Sequence, residues 1–194
     1  HEYAPALLAA WRAGSSAEAA HAPVDGAVAE FALTAVRGVP GVPEGLAALA
    51  ARLHASVRDV QRLHGGPLAP AETLRSGQGA CRDFAVLFME CCRTLGVATR
   101  FVSGYLPAPG GLHQHMHAWA EALLPGTGWY PYDPARGGVA GEEHIPVAAS
   151  PAPSEAAPVT GAYLGAAASR MGVELEVVAS EGPVVLSRRG AGQK

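Results

Sequence analysis

Three side chains, Cys81, His117 and Asp133, have the types and the order needed for thiol-based attack on a carbonyl group. Cys81 directly follows Gly79 and Ala80 and falls in the first turn of a helix expected over CRDFAVLFMECCRTLGV. Free backbone N–H groups and the helix dipole favour a thiolate there, and the same donors would stabilise an oxyanion. Small residues at 79 and 80 would keep the approach to the sulfur open. His117, opening the extended run HAWAEALL, would take the thiol proton and return it to the leaving group. Asp133, in WYPYDPARG, lies 16 residues further on, a separation that two hairpin-paired strands bring together, and its carboxylate would fix the imidazole tautomer.

Each residue alone has an ordinary explanation. Most lone cysteines are buried small hydrophobes. Cys92 fits that description better than Cys81, since it lies about three turns along the same helical face, too far away to bridge to it. Cys91 points elsewhere and has no evident partner. A lone strand histidine is commonly structural, and an Asp before a Pro is commonly a turn residue. It is the joint order, helix-start Cys, strand His, adjacent-strand Asp, that is specific.

Other residues carry lesser roles. Gln78, in the loop before Cys81, is a candidate second oxyanion donor, against the plainer reading of a solvated loop residue. Tyr105, Trp119 and Trp129 are candidate walls of the substrate cleft, with core packing as the alternative. The competing chemistry is a metal site, because His113, His115 and His117 alternate in HQHMH and would share one strand face. That reading leaves Cys81 and Asp133 without a role, and APGGL just before it suits a loop. The expectation is therefore no metal and no cofactor.

The elements that must position these residues are readable from periodicity. Leu46, Leu49, Ala50, Leu53, Val57 and Val60 fall at helical spacing, predicting a helix from Pro43 to near His64. After the polar loop ETLRSGQGA, the residues Cys81, Phe84, Ala85, Phe88, Cys92 and Leu95 share one helical face, and Gly96 supplies the stop. Extended runs follow: TRFVSGYL, HAWAEALL, GWYPYDPA, HIPVAAS and later ELEVVA. Helices followed by strands with hairpin-length connections indicate an α+β fold, its antiparallel sheet packed on the helix that begins at Cys81. YAPALLAAWR could begin a helix, ASPAPSEAAPVTG reads as a loop, and RRGAGQK as a frayed end.

Length and composition bound the function. The 194 residues suit a single domain, with a core at about 43–150 and a loop plus strands at about 151–194. A net charge of -3 and no long basic run remove the term that dominates nucleic-acid binding, so a peptide or small amide is the expected partner. Arg12, Arg37, Arg52, Arg82 and Arg93 interrupt the apolar runs before any reaches the roughly 20 residues of a membrane span. The chain starts at His1 without a signal-peptide pattern. Three cysteines, two of them adjacent, argue against a disulfide framework, and the expected compartment is the cytoplasm.

The run GACRDFAVLFMECCRTLGVATRFVSGYL, then HAWAEALLPGTGWYPYDPARG, then HIPVAAS, resembles the core of bacterial transglutaminase-like proteins over roughly Arg75 to Ala149, with weaker echoes in GAYLG and ELEVVA. The resemblance implies a papain-like core in which Cys81 is the nucleophile, His117 the base and Asp133 its orienting partner. It implies acyl transfer from an amide through a thioester, to water in a peptidase or amidase and to an amine in a transglutaminase. Hydrolysis is favoured here, since no calcium loop of the D-x-[DN]-x-[DN]-G kind occurs and the calcium-dependent crosslinking branch is larger. A non-catalytic binding module on the same fold is the further alternative. Relatives often carry a β-rich domain ahead of the core, and the Ala-rich segment before Pro43 is too short to be one, which suggests a fragment or a minimal version.

Overall fold

The structure, a computed structural model, describes residues 23–62, 64–107 and 116–157. The helix suggested at YAPALLAAWR, the histidines His113 and His115, and the segments GAYLG and ELEVVA lie outside the described residues.

Among the described residues, four helices precede the main sheet. They are α1 (Gly26–Ala35), α2 (Val42–Ser56), α3 (Pro70–Ser76) and α4 (Cys81–Thr94), with two short strands, β1 (Arg58–Asp59) and β2 (Gln78–Gly79), between them. Then come β3 (Thr99–Tyr105), β4 (Met116–Leu124), β5 (Gly128–Asp133), β6 (Gly138–Val139) and β7 (Ile145–Ser150). The five form one antiparallel sheet in the order β6-β5-β4-β3-β7, and α4 packs on β3 and β4. The fold is α+β, as the order of periodicities predicts.

Helix α4 ends as expected. The N–H of Gly96 donates to Arg93 O at 3.1 Å and that of Val97 to Cys92 O at 2.9 Å, the paired bonds of a Schellman stop. Helix α2, in contrast, stops at Ser56 and not near His64. Val57 and Val60 have helical spacing, but the backbone between them is taken by a parallel pairing with the chain ahead of Cys81. Arg58 N–H donates to Gly77 O and Val60 N–H to Gly79 O, both at 2.9 Å. That pairing ties the end of α2 to the loop that delivers Cys81.

Helix α1 has no counterpart in the sequence reading. Asp25 caps it, its Oδ1 accepting from Ala27 N–H at 2.9 Å, and Val28 and Ala32 are buried one turn apart. It packs against α4, on a side the sequence pattern leaves unassigned. Cys91, read as pointing away from the core, is consequently as buried as Cys92.

Alternation along β4 separates packing from chemistry. Ala118, Ala120, Ala122 and Leu124 join the core of Phe84, Phe88, Leu46, Leu49 and Tyr132. The other phase holds His117 and Trp119, and Trp119 clusters instead with Val102 and Ala140. Phe88 of α4 stacks on Tyr132 of β5 at 5.4 Å between ring centroids, which seats the helix on the sheet beside Asp133. Among the described residues no helix is long and apolar enough to cross a membrane.

Candidate functional site

Cys81 is the first residue of α4, half-buried, with Ala80 as N-cap. Alanine has no side-chain acceptor, so no side chain caps the first turn from that position. The turn is held instead by Asp83, which is fully buried. Its Oδ2 accepts from Ala80 N–H at 2.8 Å, while Oδ1 accepts from Leu68 N–H at 2.7 Å and from Arg62 Nη2 at 2.5 Å. This network ties Arg62 and Leu68 to the residues bearing the thiol. Gly79 is small for packing and not to leave an open approach: it is buried, and a Cβ there would sit 3.0 Å from both Asp83 Cβ and Thr73 Cγ2.

His117 lies on β4 opposite Gly104 of β3. Its Nε2 meets Asp133 Oδ2 at 2.6 Å, and the ring is also hydrogen-bonded with the Cys81 side chain. With Nε2 occupied by the carboxylate, Nδ1 is the nitrogen left for the sulfur. Burial lowers the His117 pKa, but the hydrogen bonds with Asp133 and Cys81 and the charges on both outweigh it and push the imidazole up to about 9. The ring is therefore cationic at neutral pH.

Asp133, at the end of β5, is fully buried, and its two oxygens have separate partners. Oδ1 accepts from Ala135 N–H at 3.0 Å and Arg136 N–H at 3.2 Å, as a turn-forming aspartate does. Oδ2 faces the histidines. Burial acts to raise its pKa, but the hydrogen bond and charge of His117, then those of His144, prevail and hold the carboxyl below its ordinary value.

His144 is the member of this group that the sequence reading missed. It is buried just ahead of β7, and its Nε2 contacts the same Asp133 Oδ2 at 2.9 Å. Trp119 closes the group, its ring edge-on to His144 at 5.1 Å and roughly parallel to His117 at 6.2 Å. The indole fits because residue 104 is glycine: a Cβ there would meet the Trp119 ring at 2.8 Å and collide with Ile145 O. Asp59 on β1, exposed at its surface and paired with Gly79, also senses the site: partial desolvation, the largest cause, raises its carboxyl above the ordinary value, His117 opposes the rise and Asp133 adds to it.

The other three candidates have different partners. Gln78 is exposed on β2, its Oε1 accepting from Arg58 Nη2 at 3.1 Å. Trp129 sits near the opposite end of β5 from Asp133, under the Arg100 guanidinium at 4.4 Å. Tyr105 ends β3, paired with Met116 and Ile145, one residue beyond Gly104. Of the aromatic candidates, Trp119 alone touches the histidines among the contacts described.

The ligand atoms of His117, Asp133 and His144 lie within 4.8 Å of one another, which raises the question of a metal ion. The hydrogen bonds fit protons better. Gly141 N–H donates to His144 Nδ1 at 3.0 Å, so Nδ1 is unprotonated and the proton sits on Nε2, aimed at Asp133. A neutral imidazole binding a metal through Nε2 would carry its proton on Nδ1, against the Gly141 N–H. The residues present thus suit a carboxylate held by two N–H donors rather than a cation.

The profile of the transglutaminase-like superfamily matches residues 30–134, which hold Cys81, His117 and Asp133. The chain belongs to the transglutaminase-like superfamily. Uncharacterized proteins of Mycobacterium leprae and Mycobacterium tuberculosis are 33% identical over 112 residues and 32% identical over 124 residues, covering 55% and 57% of this chain. The chain spans only about two fifths of their length, 39% in each case. Among solved structures, a Cytophaga hutchinsonii protein provisionally assigned as a cysteine protease aligns over 69% of this chain and 44% of its own, with a TM-score of 0.58 and 22% identity. That likeness shows the fold, a transglutaminase-like α+β core.

Proposed function

We propose that this transglutaminase-like protein is an acyl-transfer enzyme that hydrolyses an amide or peptide bond with Cys81 as nucleophile, His117 as base and acid, and Asp133 as the partner that orients His117. The observation that carries the reading is the single chain of contacts from the first residue of α4 through the His117 ring to Asp133 Oδ2 at 2.6 Å.

The sulfur attacks the carbonyl carbon, and the oxyanion develops at the N-terminus of α4, where backbone N–H groups point outward. His117, cationic through its pairing with buried Asp133, gives a proton to the departing amine, leaving a thioester on Cys81. Neutral His117 then takes a proton from water, the hydroxide attacks the thioester, and the acid leaves as the thiol is restored. An amine attacking in place of water would give transamidation by the same steps, so product analysis with and without a primary amine decides the acceptor.

The test is acylation by an activated ester such as p-nitrophenyl acetate, followed by mass spectrometry of the intact chain and by thermal melting. The wild type should gain one acyl group, and Cys81→Ala should gain none while melting as a folded protein. Wild-type acylation of folded Cys81→Ala would end this mechanism.

A further inference from the structure

Resting on that reading of the site, we propose that His144 is a positioning residue for the reaction: through Nε2–H it holds Asp133 Oδ2 and shares that one oxygen with His117, limiting how strongly the carboxylate holds the His117 proton. The geometry is specific at each atom. Gly141 N–H on Nδ1 fixes the His144 tautomer, and Nε2 is then a donor 2.9 Å from Oδ2, beside His117 Nε2 at 2.6 Å from the same atom. Asp133 cannot turn away to favour one histidine, because Ala135 and Arg136 N–H hold its other oxygen. The His144 side chain is 3% exposed, so water does not substitute readily for its N–H.

The consequence is chemical. A carboxylate oxygen given wholly to His117 would keep the imidazolium protonated too firmly to release its proton to a leaving amine. A second N–H on that oxygen withdraws part of its negative charge and leaves His117 a better acid. Among the described residues, the charged and titratable groups recorded around the pair are Asp133 and Cys81 on His117, Asp59 from β1, and Glu143, whose Oε1 is 3.7 Å from His144 Nδ1. Neither His144→Phe nor His144→Gln alters any of these four.

The experiment follows the His117 ring by NMR in histidine-labelled protein across pH 5 to 11, with the alkaline limb of acylation by a peptide p-nitroanilide, whose leaving amine needs a proton, measured alongside. His144→Phe, which fills the space without an N–H, should raise the His117 midpoint from about 9 by roughly one unit and carry the alkaline limb up with it. His144→Gln, whose amide N–H can reach the Nε2 position, should restore the wild-type midpoint, and Asp133→Asn should lower it. In the wild type, the ¹⁵N shifts of His144 should show a proton on Nε2 and none on Nδ1, a readout that holds even if His144→Phe does not fold. An unchanged or lowered His117 midpoint in folded His144→Phe, or an Nδ1-protonated His144, would overturn the proposal. Neither result would touch the acyl-transfer reading, which stands or falls on Cys81→Ala.

Discussion

The two ends of α4 place thiols in opposite surroundings. At its start, Cys81 is half-buried beside a cationic imidazole and an uncapped turn of backbone N–H groups. Three turns on, Cys91 and Cys92 are fully buried among apolar side chains; burial, with Glu90 beside it, pushes Cys91 up to about 12, and burial and its neighbour push Cys92 well above the ordinary thiol value. One helix thus carries one residue type in two surroundings, polar at its start and apolar further on. The core end holds the helix against the sheet, and the polar end is thereby held against His117.

The comparison can be broken most severely at Asp133. Asp133→Asn retains an oxygen for the Ala135 and Arg136 N–H groups but presents an uncharged amide to His117, so acylation of Cys81 should fall by about 10²- to 10⁴-fold while the protein stays folded. A steady-state acylation series checks this, and an unaltered rate would remove Asp133 from the mechanism. The pH dependence is the second lever. His117 is raised above its ordinary 6.5, so its cationic form is complete below that value and is lost as pH rises through about 9; acylation by an amide substrate such as a peptide p-nitroanilide, whose leaving amine needs that proton, should decline with that alkaline limb. A limb near 6.5 instead would mean that His117 does not feel Asp133.

The other end of the helix should answer in stability rather than rate. Phe88→Ala removes a buried ring that stacks on Tyr132 and should cost about 3–5 kcal/mol, measured by denaturant unfolding. Cys92→Ala should cost only about 1 kcal/mol, with acylation of Cys81 unchanged at temperatures where the variant is folded. The smallest expected effect is that of a chelator: removing divalent ions should leave acylation as it was, and loss restored by zinc would favour a metal on the histidines.

Much of this arrangement was legible in the sequence, for identifiable reasons. Helix α4 and strands β3, β4, β5 and β7 carry clean helical or extended patterns, and Gly96 and Pro134 punctuate them. The Cys, His and Asp stand where those patterns end, so their convergence could be read from element order. What failed was set by tertiary contacts. The end of α2 was overridden by backbone pairing with Gly77 and Gly79, and α1 is apolar on most sides, which hides its period although Asp25 is a readable cap. His144 looked like the ordinary first residue of a strand in HIPVAAS. Nothing local marks it, since its partners Asp133 and Trp119 reach it only through the order of strands across the sheet. Trp129 shared its residue type with Trp119, but position along β5 put it with Arg100, away from the histidines.

The most direct test of the contrast between the two ends of α4 is alkylation of the native protein by iodoacetamide from pH 5 to 9, with each cysteine followed by peptide mass spectrometry. Cys81 should be modified well before Cys91 and Cys92 at pH 6 to 7, and His117→Ala should slow Cys81 there at least tenfold, while the other two should react only when the protein is unfolded. Equal reactivity of all three thiols, or a Cys81 rate at pH 6 that is the same in folded His117→Ala, would contradict the assignment of Cys81 as an activated nucleophile.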